Sequence, residues 1–160
     1  MDLKTADLYD RHGDALRVCE PIFLDYGGLT RFAGSVATVK CFEDNTQVKA
    51  ALAEPGQGRV LVVDAGGSSR CAMLGDQLAE LAVANGWAGV VMYGLIRDSE
   101  AIGGMSLGVK ALGTIPVKSI KRGEGQVDIP VHFAGVTFRP GEYLYADGDG
   151  ILVAERALSI

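Results

Sequence analysis

The apolar positions of the chain form runs of two kinds. Residues 59–65 (RVLVVDA) and 88–94 (AGVVMYG) are nearly unbroken apolar stretches bounded by glycines, the pattern of strands buried on both faces. Between them, GDQLAELAVANG places Leu78, Leu81 and Ala82 on one helical stripe, with Asp76 at its start and Gly86 after its end. Strand, helix, strand in this order predicts a βαβ unit with a parallel strand pair. Upstream, a short helix is expected over Thr5 to Arg11, capped by Thr5, followed by an extended stretch, VCEPIFLDYGG, that closes on a Gly-Gly turn. Ser35 to Cys41 alternates like a half-buried strand. Asn45 is placed to cap a helix, TQVKAALAE, which Pro55 and Gly56 stop. Beyond Asp98, four strand-like segments are joined by Gly and Pro turns: TIPVKSI, VDIPVHF, GVTF and EYLYADGDGILVAE. Pro116 and Pro130 should push their strands to edges or bulges, and Asp147 to Gly150 reads as a hairpin turn. The pattern predicts an α/β protein with a β-rich second half, and a length of 160 residues suits one domain over 1–160.

Composition narrows the classes. Twenty-two glycines are about double the usual share, so many tight turns or close backbone approaches are expected. A formal charge of −5 opposes direct nucleic-acid binding, which needs clustered Lys and Arg; the one short basic cluster, Lys118 with Lys121-Arg122, reads as a solvated loop. The first residues, MDLKTADLYDRHGD, are too polar for a signal peptide, and no apolar run reaches the ~20 residues of a membrane span, so a cytoplasmic location is expected. Cys19, Cys41 and Cys71 are odd in number and widely spaced, which suggests buried reduced thiols rather than a disulfide framework or zinc site. His12 and His132 fit no metal-binding spacing. AGGSSR lacks both the Lys-Ser/Thr of a P-loop and the G-x-G-x-x-G of a dinucleotide fold.

The βαβ unit concentrates the candidate chemistry. About ten helical residues descend roughly 15 Å, and seven strand residues climb roughly 23 Å. The chain therefore returns to the sheet edge it left, and Asp76, Arg97 and Asp98 can converge there. That edge is where α/β sheets bind ligands. The amides of Gly75, Asp76, Gln77 and Leu78 at the helix start could hold an anion, and Arg97 adds a planar fork suited to a carboxylate. The carboxylate of Asp98, with Asp76 nearby, suits a hard cation such as Mg²⁺ or Mn²⁺ that keeps several waters. Two readings stand at this point. Asp76 is an ordinary N-cap and Arg97-Asp98 an exposed ion pair, or together they hold a small acid while a metal polarises its neighbouring carbonyl.

Several of these segments resemble a known family. VCEPIFLDYGG, VKCFEDN, GRVLVVDAGGS, GWAGVVMYGLIRD and FAGVTFRPGEYLYADGDGILV look like the regulator of ribonuclease E activity A family, which is similar to the divalent-metal-dependent 4-hydroxy-4-methyl-2-oxoglutarate aldolases. The likeness spans nearly the whole chain, and its most specific element is the D-x20-R-D pattern of Asp76, Arg97 and Asp98. The resemblance implies a swivelling β/β/α domain with a central mixed sheet flanked by helices, assembled as a homotrimer with sites at subunit interfaces. It implies that the backbone of Gly75 to Leu78 binds the pyruvyl carboxylate, that Arg97 contacts substrate, that Asp98 ligates the metal and that Asp76 holds a metal-bound water. The implied reactions are cleavage of 4-hydroxy-4-methyl-2-oxoglutarate to two pyruvates and decarboxylation of oxaloacetate, both through a metal-stabilised enolate. A water oriented by Asp76 is the candidate base, and neighbouring Glu100 is read as an exposed residue. The family name implies a second possibility, a ring that binds and inhibits ribonuclease E without catalysis; its acidic surface would suit a basic partner.

Overall fold

The computed structural model describes residues 2–159. In chain order the elements are α1 (Thr5–His12), β1 (Arg17–Val18), β2 (Leu24–Asp25), β3 (Phe32–Lys40), α2 (Thr46–Leu52), β4 (Val60–Asp64), β5 (Ala72–Leu74) and α3 (Asp76–Ala84). They continue with β6 (Gly89–Ile96), α4 (Ser99–Ile102), β7 (Gly108–Thr114), β8 (Gln126–Val127), β9 (Val131–Phe133), β10 (Val136–Phe138), β11 (Tyr143–Asp147) and β12 (Gly150–Ala154). The main sheet runs β1-β12-β11-β3-β4-β6-β7-β2. Its centre, β3-β4-β6-β7, is parallel, and its flanks are antiparallel, so the sheet is mixed.

The alternation of side chains across β4 divides the core. Leu61 and Val63 face α2 and α3 with Val48, Leu52, Ala79 and Ala82, whereas Val60 and Val62 face the other side with Phe133, Phe138 and Leu144. All five residues of β4 are buried, as the unbroken apolar run predicts. A third cluster packs α1 against the β11–β12 hairpin through Leu8, Tyr145 and Leu152. Gly89 and Gly108 lie side by side on β6 and β7, and a Cβ on either would run into the Phe32 ring. The two glycines form the slot that seats this fully buried aromatic.

Several expectations need correcting. Thr5 does not cap α1; Lys4 stands at the cap position, and Thr5 instead donates its N–H and hydroxyl to Asp147 at 2.8 and 2.6 Å. Asn45 makes no capping bond. Its neighbour Asp44 does, accepting from the Thr46 N–H and hydroxyl at 2.9 and 2.6 Å, while the Asn45 amide donates to the Met73 carbonyl. The third strand begins at Phe32 rather than Ser35. In TIPVKSI only Thr114 belongs to a strand, as the last residue of β7, and beyond it the segment forms one bridge, Ala72 to Lys118. That strand hides Lys110, which is 3% exposed and survives burial by donating to the Asp147 carbonyl at 2.6 Å and pairing with Asp25 at 3.1 Å. VDIPVHF divides into β8 and β9 around Pro130, as proline demands. The expected hairpin is present: Asp147 pairs with Gly150 across a two-residue loop, and Asp147 Oδ1 accepts from the Asp149 N–H. All three cysteines are free and buried.

Candidate active site

The βαβ unit β4-α3-β6 is formed with β4 and β6 parallel, and β5 refines its geometry. β4 runs alongside β6 only as far as Tyr93; β5 then takes over the same edge, pairing Ala72 with Leu95 and Leu74 with Ile96. The Arg97 N–H donates to the Leu74 carbonyl at 2.9 Å, which ties the tip of β6 to the strand that leads into α3. One residue separates β5 from α3. The sequence distance between Asp76 and Asp98 is therefore closed by a single peptide-scale contact, the Asp76 N–H donating to Asp98 Oδ2 at 3.0 Å.

Asp98 holds this position in the left-handed region, φ 57° and ψ 39°, where Asp and Asn are tolerated better than other side chains. It also precedes α4, and its carbonyl accepts the Ile102 N–H. Arg97 Nε stands 3.9 Å from Asp98 Oδ2, with both side chains about two-fifths exposed, so this pair contributes little to stability. Gly75 is extended, and a Cβ there would lie 2.9 Å from Asp98 Oδ2 and 3.4 Å from the Arg97 side chain. Only glycine leaves the two charged groups their places.

The first intrahelical bond of α3 runs from the Ala79 N–H to the Gly75 carbonyl. The amides of Gln77 and Leu78 thus precede the helical ladder and are free to bind an anion, while that of Asp76 is engaged by Asp98. A cleft of about 290 Å³ opens here, lined on one side by Gly75, Asp76, Gln77, Leu78 and Arg97. Asp98 does not line it; it stands behind the Asp76 amide. A further stretch of the cleft wall carries Asn45, Lys49, Lys118, Ser119 and Lys121. The sequence reading missed this wall: it took Asn45 for a cap and the lysine cluster for a solvated loop. The only signal was the Lys118-x-x-Lys121 spacing.

Asp44 builds that wall. Besides capping α2, its Oδ2 accepts from the Arg122 and Glu124 N–H groups at 2.7 and 3.0 Å, which brings the 115–124 segment over the start of α2. Burial opposes its ionisation, but these bonds and those from Thr46 outweigh burial and hold the carboxyl well below the usual carboxylate range. Cys41 is pushed up to about 12, by burial first and by the charges of Asp64 and Asp44 next, and burial likewise raises Cys71. Neither thiol is a nucleophile at neutral pH. Glu100 is exposed on α4, as expected.

Among the described residues no three His, Cys, Asp or Glu side chains gather as a metal cage. The donor set fits a different kind of ion. A lone, part-exposed carboxylate, one oxygen of which is fixed by an amide, suits a hard cation that keeps most of its water shell, and excludes a structural zinc site.

The chain belongs to the RraA-like family, described as Aldolase/RraA, whose pattern matches residues 5–153. A protein of Aromatoleum aromaticum named provisionally as 4-hydroxy-4-methyl-2-oxoglutarate aldolase is 58% identical over 158 residues, covering 99% of both chains. A crystal structure from Geobacillus kaustophilus, titled S-adenosylmethionine:2-dimethylmenaquinone methyltransferase, is 52% identical with a TM-score of 0.96, covering 98% of this chain and 97% of that one. The RNA-processing inhibitor RraA from Thermus thermophilis is 44% identical with a TM-score of 0.95, covering 99% and 96%. These three names differ on nearly one backbone, so the fold alone does not select the chemistry and the site residues must.

Proposed function

We propose that this chain is a metal-dependent pyruvate aldolase that cleaves 4-hydroxy-4-methyl-2-oxoglutarate to two pyruvates and also decarboxylates oxaloacetate. The observation that supports the reading is the 3.0 Å contact of the Asp76 amide with Asp98, which ties the Asp98 carboxylate directly behind a cleft lined by the start of α3 and Arg97. The provisional names of relatives such as the Aromatoleum protein support the substrate. In this reading the backbone at the start of α3, through the free amides of Gln77 and Leu78, and the Arg97 guanidinium hold the substrate's C1 carboxylate, and Asp98 would hold Mg²⁺ or Mn²⁺. The bound ion supplies Lewis-acid polarisation of the 2-keto oxygen.

Cleavage breaks the C3–C4 bond. The 4-hydroxyl loses its proton as C4 becomes the keto carbon of one pyruvate, the bonding pair moves through C3 toward the C2 oxygen, and protonation of C3 from water completes the other pyruvate's methyl group. Arg97 stabilises the charge collecting on the C2 oxygen. Asp76 orients the water that takes the hydroxyl proton. Loss of CO₂ from oxaloacetate places the pair on the same oxygen, so one arrangement serves both reactions. The test is pyruvate release from either substrate with Mg²⁺ or Mn²⁺; no metal-dependent turnover of either would refute the lyase.

The protein acts, in this reading, as one cytoplasmic domain over residues 1–160 that assembles as a homotrimer. The likeness to the Thermus RNA-processing inhibitor supports a second role in binding ribonuclease E. Absence of a saturable complex between the purified proteins would remove it.

A further inference from the structure

The lysine-bearing wall of the cleft has no task in the steps above, yet its features are unusual for this chain. The molecule carries 20 acidic and 15 basic side chains, but the cleft is lined by four cations, Lys49, Arg97, Lys118 and Lys121, against one carboxylate, Asp76. Among the described residues no carboxylate pairs with any of the three lysines. Like charges gathered without counter-charges repel one another, and an anionic ligand relieves that repulsion.

Two buried groups point the same way. Ser119 and Asn45 are both more than nine-tenths buried and line this side of the cleft, and Ser119 Oγ and Asn45 Oδ1 have no hydrogen-bond partner. Buried polar atoms without partners are rare and call for an explanation. A hydroxyl can donate to a carboxylate, and an amide oxygen can accept from a ligand O–H. The wall is also built rather than loose. Ala72 N–H donates to the Val117 carbonyl at 2.7 Å, and the Asp44 bonds to Arg122 and Glu124 fix the segment's far end.

We propose that Lys49, Lys118, Lys121 and Ser119 form a second anion subsite, which recognises the distal carboxylate of a dicarboxylic 2-keto acid whose first carboxylate lies at the start of α3 and Arg97. This rests on the lyase reading for its choice of substrate class, and it assigns specificity for two-carboxylate substrates to a wall that takes no part in bond cleavage.

The test compares 2-oxoglutarate with 2-oxopentanoate, which has a methyl group in place of the distal carboxylate, by calorimetric titration of the full chain in saturating Mg²⁺. The wild type should bind 2-oxoglutarate roughly ten-fold or more tightly than 2-oxopentanoate, as expected for several screened charge contacts, and the ratio should fall as salt is raised. The combined Lys49→Ala, Lys118→Ala and Lys121→Ala variant should bring the ratio to within about two-fold, and Ser119→Ala should lower it part of the way. The combined Lys→Arg variant should restore the preference, which a merely structural effect of the alanines would not do. A wild-type ratio near one, or an unchanged ratio in the alanine variant, would overturn the subsite. Because binding is read without turnover, these outcomes are distinct from failure of the lyase, which appears as absent pyruvate release by the wild type.

Discussion

Substituting Asp98 by asparagine separates its structural role from its chemical one. Asparagine tolerates the left-handed backbone at φ 57° and offers an amide oxygen to the Asp76 N–H, so the 3.0 Å tie is kept. What is lost is the negative charge, whose pairing with Arg97 at 3.9 Å is part-exposed and worth at most about 1 kcal/mol. The melting temperature should therefore fall by no more than about 2–4 °C for a chain of this size. Asp98→Ala adds roughly 1 kcal/mol for a Cβ in the left-handed region and about 1 kcal/mol for the lost hydrogen bond, a total of about 2–3 kcal/mol with the charge loss, or about 4–12 °C. In the proposed reading both variants remove the charged ligand for the cation, so both should lose at least about 100-fold in pyruvate release. The assay pairs thermal unfolding with metal titrations of activity. If Asp98→Ala lost activity while Asp98→Asn stayed within ten-fold of wild type with an unaltered metal dependence, the residue would be a backbone device and its role as metal ligand would be refuted.

Gly75→Ala should disturb the site without disturbing the fold: its extended backbone accepts alanine, but the new Cβ displaces Asp98 and Arg97, so activity should drop about 10–100-fold while the melting temperature holds within a few degrees. Gly108→Ala should do the reverse kind of damage, overpacking against Phe32 at a cost of about 1–3 kcal/mol, read as a lowered urea midpoint. Asp44 makes stability depend on acid. Its folded pKa is depressed, so its contribution is complete above the unfolded value near 4 and is lost as pH falls below that value toward the folded one. Asp44→Asn should cost about 1.5–3 kcal/mol at neutral pH, and the gap to wild type should narrow below about pH 4; a gap constant with pH in denaturant titrations would contradict the sign.

The parts of this fold legible in the sequence are those set by local pattern. The unbroken apolar run of β4, the helical stripe after Asp76 and the Gly-rich turn after Asp147 each follow from neighbouring residues, and the convergence of Asp76, Arg97 and Asp98 follows from βαβ geometry. What was not legible depends on distant partners. β7 was missed because Lys110 breaks its apolar pattern, and only Asp25 and the Asp147 carbonyl make that lysine tolerable inside a sheet. Asp44 and Asn45 are adjacent and equally plausible as caps, so sequence could not say which side chain would be drawn away. The lysine wall is brought to the cleft by bonds spanning 78 and 80 residues, which no local pattern records.

Metal-dependent catalysis is tested by pyruvate released from 4-hydroxy-4-methyl-2-oxoglutarate by the purified chain, with Mg²⁺ or Mn²⁺ and after chelation, for wild type and Asp98→Asn. Turnover that requires the ion and falls at least about 100-fold in the variant is the predicted result. Turnover that survives chelation, or an Asp98→Asn protein as active as wild type, would contradict it.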